Sequence, residues 1–312
     1  LKNKKNIILF GIIIFLALII CLLTAASAYL YNFAFEPQKS LSSRMPEKKK
    51  ARLTVDQKWL KHVKQETWTE TAANQKLKLA AFFVPAKYSS RKTIIVAHGY
   101  QENHLMMASY IRMFHAKGYN VLAPDDRGAG KSQGNYIGFG WPDRLDYVKW
   151  VKRIVKREGL NVRIGLFGVS MGGTTVMMTS GEKLPVQVKA IVADSGYSSI
   201  GAELTYELKK KFDLPKEPLI TTAGWFTFMK TGFNFNDGKT IDQLRKNKLP
   251  LFLIHGGADT FVPTKMVYQN YAATSGIRKI WVVPKTGHAM AYYNYPRKYE
   301  QCVISFFNQY LH

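Results

Sequence analysis

The stretch Arg163-Ile164-Gly165-Leu166-Phe167-Gly168-Val169-Ser170-Met171-Gly172-Gly173 decides the fold. Its first half is a short apolar run of strand length, and from Met171 the pattern turns helical. Between them lies G-x-S-x-G, a sequence whose chemistry depends on sitting between a strand and a helix. The serine must occupy a sharp, strained turn, so the flanking positions need glycine where side chains would collide. Such a turn lifts Ser170 Oγ clear of the backbone at a helix N-terminus. The free N–H of Met171 is then available to a developing oxyanion.

Short strands alternate with helices on both sides of this turn. Leu77 to Val84, Thr93 to Ala97 and Asn120 to Ala123 read as strands before it. Val188 to Ala193, Leu251 to His255 and Lys279 to Val283 follow it. Helical spacing covers Met106 to Lys117, Asp143 to Arg157, Thr264 to Ala273 and Pro296 to Leu311. This alternation predicts an α/β fold, a mostly parallel sheet covered by helices on both faces. Residues 199–248 break the rhythm with Pro215, Pro218 and many aromatics, and read as a small helical cap inserted in a domain spanning 53–312.

A serine hydroxyl needs a base, and the base needs an orienting acid. Asp259 and His288 each follow a predicted strand, at the sheet edge where Ser170 is expected. The chain order is therefore nucleophile, acid, base. Asp194 also ends a strand and is the alternative acid, while His255 is read as a packed strand-end residue. The loop His98-Gly99-Tyr100 after the strand at 93–97 offers a second oxyanion donor, the N–H of Tyr100.

From about Leu77 to His312 the sequence resembles the α/β-hydrolase superfamily, in particular its bacterial serine-hydrolase branch. The matching stretches are HGY at 98–100, PDDRGAGKSQG at 124–134, GVSMGG at 168–173, HGGADTFVP at 255–263 and TGH at 286–288. The resemblance implies Ser170 as nucleophile, Asp259 as acid and His288 as base, with Tyr100 and Met171 as backbone oxyanion donors. It implies an esterase, lipase or related acyl hydrolase. Asp126 and Ala129 depart from the pattern, since relatives often carry an aromatic residue and a histidine there. Carboxylic ester hydrolysis is the preferred activity and amide or peptide hydrolysis the alternative. The acids that would bind a substrate amine are not identifiable in the sequence. A non-catalytic, membrane-tethered binding protein is a third reading.

Composition sets the remaining bounds. The 312 residues carry 45 Lys and Arg against 21 Asp and Glu, a formal charge of +24. Two cysteines are too few for a disulfide scaffold or a four-cysteine zinc site. Gly128 to Ser132 ends like a P-loop, but the glycine required at 125 is Asp125, and Gln133 breaks G-x-G-x-x-G. Neither a nucleotide, a metal nor another cofactor is expected, and no recognition motif points to nucleic acid.

Between Lys5 and Glu36 there is no charged residue. Residues 1–35 therefore read as a transmembrane signal-anchor, since about 20 apolar residues suffice to cross a bilayer. A signal peptide cut after Ala26-Ser27-Ala28 is the alternative. Tyr29, Tyr31, Phe33 and Phe35 would lie at one interface. Residues 36–52 read as a basic polar tether, with the following domain expected outside the cytoplasm. Lys48-Lys49-Lys50 and Lys209-Lys210-Lys211 are candidate contacts for anionic lipid or a wall polymer.

Overall fold

The computed structural model describes residues 2–37 and 45–312. Two helices come first, α1 (Lys2–Phe35) and α2 (Glu47–His62), then strands β1 (Glu66–Thr71), β2 (Lys78–Val84) and β3 (Lys92–Ala97). Helix α3 (Ala108–Ala116), β4 (Asn120–Pro124), α4 (Asp143–Glu158), β5 (Arg163–Val169), α5 (Met171–Thr179) and β6 (Val188–Asp194) continue the alternation. Helices α6 (Ile200–Phe212), α7 (Leu219–Thr231) and α8 (Thr240–Lys246) interrupt it. It resumes with β7 (Leu251–Gly256), α9 (Lys265–Ala273), β8 (Arg278–Val283), α10 (Ala291–Asn294) and α11 (Pro296–Tyr310).

The eight strands form one sheet in the order β1-β2-β4-β3-β5-β6-β7-β8. Only the β1–β2 and β2–β4 pairings are antiparallel. The other neighbours run parallel, as βαβ crossovers require. Because side chains alternate across a strand, Ile94 and Ile95 enter opposite cores. Ile94 joins Phe114, Phe167 and Phe307 beneath α3 and α11. Ile95 joins Trp150, Ile154, Leu166 and Met177 beneath α4 and α5.

The structure differs from the sequence reading at the front of the domain. The expected tether at 36–52 includes Lys48-Lys49-Lys50, yet these residues open α2, while 38–44 lie outside the described residues. Helix α2 is fixed by Leu53 and Leu60, seven apart and both buried, and by Asp56, which meets Arg112 Nη1 at 2.8 Å. Strand β1 went unrecognised because its one buried side chain, Trp68, is flanked by polar residues. Within 199–248, α8 packs on α5 and α9, so the helices lying over the sheet edge are α6 and α7.

Helix α1 is continuous from Lys2 to Phe35 but has two environments. From Lys4 to Leu22 every residue is exposed, whereas Ser27, Tyr31 and Phe35 are buried against α7 and the body. Ser27 Oγ donates to Thr222 Oγ1 at 3.0 Å. Tyr31 meets Phe226 edge-on at 5.7 Å, and Phe35 lies 4.9 Å from Phe139. The Ile137 N–H donates to the Phe35 carbonyl at 2.7 Å, tying the helix end to the loop after β4.

Candidate active site

Ser170 sits between β5 and α5 with φ 58° and ψ −120°, a conformation sterically disfavoured for any residue with a Cβ. The surrounding glycines permit it. A Cβ on Gly168 would lie 2.1 Å from the Gly172 carbonyl oxygen, and one on Gly172 would lie 2.2 Å from the Ala97 carbonyl oxygen. The close approach of the Ala97–His98 backbone to Gly172 puts the β3 exit loop beside the serine. A β-branched or even alanine substitution there has no room.

The loops after β7 and β8 bring Asp259 and His288 to the same sheet edge. Ser170 Oγ is 2.8 Å from His288 Nε2, and His288 Nδ1 is 2.7 Å from Asp259 Oδ2. A carboxylate accepts but cannot donate, so Nδ1 carries the proton and Nε2 faces Ser170 as the acceptor. Asp259 is itself held firmly. Its Oδ1 accepts the N–H groups of Phe261 and Val262, each at 2.9 Å. Burial would raise its pKa, but hydrogen bonds to His255 and His288 outweigh this and hold it well below the usual carboxylate range.

The two competing candidates, His255 and Asp194, lie elsewhere. His255 is buried, with Nε2 3.0 Å from the Val262 carbonyl oxygen and 3.3 Å from Asp259 Oδ2, so it supports the acid's loop. Asp194 lies beneath the elbow, where it accepts from Tyr299 Oη at 2.8 Å and Ser195 Oγ at 2.9 Å. Burial raises its pKa. Its partners are not those of a triad acid.

The oxyanion candidates are also adjacent to the serine. Met171 opens α5, where the first N–H groups have no intrahelical acceptor. Tyr100 lines the same cavity as Ser170, and among the described residues its N–H has no protein acceptor. The Tyr100 hydroxyl donates to the Ala34 carbonyl at 2.9 Å, so this loop is braced against α1.

The departure at Asp126 has a structural role. Its N–H donates to His98 Nε2 at 3.0 Å, and Oδ1 accepts from Tyr147 Oη at 2.9 Å. Burial pushes its carboxyl up to about 7. Next to it, Arg127 is bidentate to Asp146 at 2.7 and 3.0 Å, with almost no exposure. This buried network backs the site without reaching Ser170.

Above Ser170 is an apolar cavity. Phe139, Phe261 and Val262 surround its floor, and α1, α6 and α7 make its walls. Sequence reasoning missed two residues here, Glu203 and Glu207 of α6. They are four apart and share a helix face with Leu204 and Leu208, so acids interleaved with leucines were the available signal. Glu207 pairs with Lys211 at 2.7 Å. Glu203 is buried with no hydrogen-bond partner for either carboxyl oxygen. Burial, aided by the charges of Glu207 and Asp259, pushes it up to about 9, so it is neutral at pH 7.

Comparison with known proteins bears on the fold that carries this geometry. The Pyrococcus furiosus esterase Pf2001 has a TM-score of 0.66 and 25% identity, over 89% of this chain and 98% of that one. The chain belongs to the α/β-hydrolase superfamily. A family model described as serine aminopeptidase S33 matches residues 88–214 of the hydrolase, which include the G-x-S-x-G turn at Ser170. Among curated proteins, YqkD of Bacillus subtilis (strain 168) is 25% identical over 244 residues, covering 74% of this chain and 80% of its own. YfhR of Escherichia coli (strain K12) is 24% identical over 228 residues, 72% of this chain and 73% of its own. The Pyrococcus horikoshii acylaminoacyl peptidase shares the fold at a TM-score of 0.58 and 18% identity, over 81% of this chain and 43% of that one.

Proposed function

We propose that this α/β-hydrolase cleaves carboxylic esters through an acyl-enzyme on Ser170. The observation that carries the proposal is the hydrogen-bonded series Ser170–His288–Asp259 at the floor of an apolar cavity. Ser170 Oγ attacks the ester carbonyl as His288 Nε2 takes its proton. Asp259 holds the imidazole in the required tautomer and stabilises the imidazolium. The N–H groups of Tyr100 and Met171 receive the oxyanion, each contributing about 3–4 kcal/mol. The imidazolium then protonates the leaving alcohol, and a water activated by the same histidine hydrolyses the acyl-enzyme.

Amide hydrolysis is the second reading, supported by the S33 match and by the two acids in the cavity. An amine-binding acid must be anionic. Glu203 is neutral in the empty cavity and Glu207 is already paired, so the ester reading is preferred. A fluorophosphonate probe tests the shared mechanism: it should label the wild type at Ser170 and leave Ser170→Ala unlabelled. Equal labelling of the two removes both hydrolase readings in favour of a non-catalytic binding protein. Rates on p-nitrophenyl esters beside aminoacyl p-nitroanilides then separate ester from amide.

Helix α1 is long and apolar enough to cross a membrane. We read it as an anchor with the hydrolase domain outside the cytoplasm. Protease digestion of intact cells should degrade that domain, and protection until the membrane is permeabilised would reverse the orientation.

A further inference from the structure

The cavity over Ser170 has an unexpected wall. Leu30, Tyr31, Ala34 and Phe35 of α1 line it, opposite Leu204 and Leu208 of α6. The same helix that has the length and composition of a membrane span therefore completes the substrate site.

Distances along α1 place that wall relative to a bilayer. The exposed, uncharged run Asn6–Leu22 is 17 residues, about 26 Å at 1.5 Å per residue, close to a hydrocarbon core of about 30 Å. Leu30 lies eight residues further on, about 12 Å along the helix axis. The headgroup layer fills about 5–7 Å of that distance. The cavity therefore begins just above the headgroups on the side where α1 leaves the membrane.

The rim at this end suits an interface. Phe33 and Lys211 line the cavity and are exposed, and Lys211 Nζ lies 5.2 Å above the Phe33 ring. Phe212 meets Phe33 at 5.4 Å and Tyr29 at 6.1 Å, both edge-on. Tyr29, seven residues past Leu22, is the ring nearest the headgroup level that aromatic side chains favour, and lysines at the end of α6 suit anionic lipid. Tyr29, Leu30 and Phe33 continue the apolar surface of α1 from the exposed span to the cavity. A hydrocarbon chain following that surface avoids the exposure to water that every methylene would otherwise suffer. Inside, no unpaired charge opposes it, because Glu207 is paired with Lys211 and Glu203 is neutral.

We propose that the substrate is a long-chain acyl ester of a membrane lipid, taken from the bilayer along α1 into the cavity that α1 helps to enclose. The proposal rests on the ester-hydrolase reading of Ser170 and on α1 as a membrane span.

The test uses the full chain reconstituted in phosphatidylcholine vesicles that contain either dioleoyl-phosphatidylglycerol or dioleoylglycerol. Fluorophosphonate labelling and hydrolysis of soluble p-nitrophenyl acetate are measured in parallel. Oleate release from either lipid is expected, with phosphatidylglycerol alone indicating an anionic substrate and dioleoylglycerol alone a neutral one. Leu208→Trp and Ala34→Trp fill the cavity from opposite walls. In each, the ratio of oleate release to acetate hydrolysis should fall about tenfold or more, as for other apolar pockets that lose acyl contacts. Thermal unfolding identifies a variant that has merely misfolded, and the other then decides. Labelling at Ser170 and acetate hydrolysis without oleate release would overturn the proposal and leave the hydrolase standing. An unchanged ratio in a folded variant would overturn the cavity assignment. Absence of labelling would instead bring down the hydrolase reading beneath it.

Discussion

Replacing Glu203 by glutamine should stabilise the protein at alkaline pH and leave it nearly unchanged at acid pH. The wild-type carboxyl is held neutral by burial, its pKa raised from 4.5 to about 9. Between those values the native state keeps a proton that the unfolded chain releases. The contribution of this group to wild-type stability is therefore greatest below about pH 4.5 and falls by about 1.4 kcal/mol per pH unit up to about 9. From pH 5 to pH 8 the loss is about 4 kcal/mol, or about 2 kcal/mol if water entering the open cavity relieves half of it. Glutamine cannot ionise, so the variant lacks this slope. Any packing cost of the amide is the same at both pH values and cancels in the comparison. For a domain of this size the gap should widen by about 4–8 °C in Tm between pH 5 and pH 8. Intrinsic-fluorescence melts of both proteins in one detergent at the two pH values give the answer. A gap that does not change with pH would refute the neutral-acid assignment, and with it the preference for ester over amide chemistry. The aminoacyl p-nitroanilide rate adds an independent check, because an amine-binding Glu203 would raise KM when neutralised, whereas a neutral wall residue would not.

Three other substitutions probe the frame around the serine. Asp259→Asn should preserve the fold but favour the wrong histidine tautomer, lowering kcat by about 10⁴ in an ester assay. Arg127→Met leaves Asp146 buried without its bidentate partner, and should cost about 3–5 kcal/mol in urea unfolding with no effect on the labelling of whatever folded fraction remains. Gly172→Ala forces a Cβ to 2.2 Å from the Ala97 carbonyl oxygen, so the elbow cannot close. That variant should lose fluorophosphonate labelling, and wild-type labelling would show that β3 can move away.

What the sequence disclosed and what it hid follow from how far apart the determinants lie. Ser170, Asp259 and His288 each sit just after a strand, so local pattern alone was enough to expect them at one edge, and the structure brings them within hydrogen-bonding distance. The sheet was legible for the same reason: its inner strands are short apolar runs bounded by turns. Strand β1 was not, because an edge strand with one buried tryptophan lacks the alternation that reveals a core face. Helix α2 was hidden by its lysines, whose charge obscured the two leucines that anchor it. The acids among the leucines of α6 were visible, but Glu203 could not be placed in the site because that comes from α6 folding back over Ser170, a contact between distant parts of the chain. The packing of Tyr31 and Phe35 was masked by composition, since an aromatic residue in an apolar run suits a lipid interface as well as a protein one.

The hydrogen bonds that hold α1 to the body change what trimming this protein would mean. Removing an apolar leader is commonly treated as taking a tether from an otherwise finished catalyst. Here a cut beyond Phe35 would also strip away the cover of Phe139 and Phe235 and the brace on the Tyr100 loop. The released body would carry an open, wetted cleft and a looser Tyr100 loop, and its substrate preferences would not report those of the whole chain. Variation in the last two turns of α1 should accordingly behave as variation in what the cavity admits, a property that truncation would discard along with the leader.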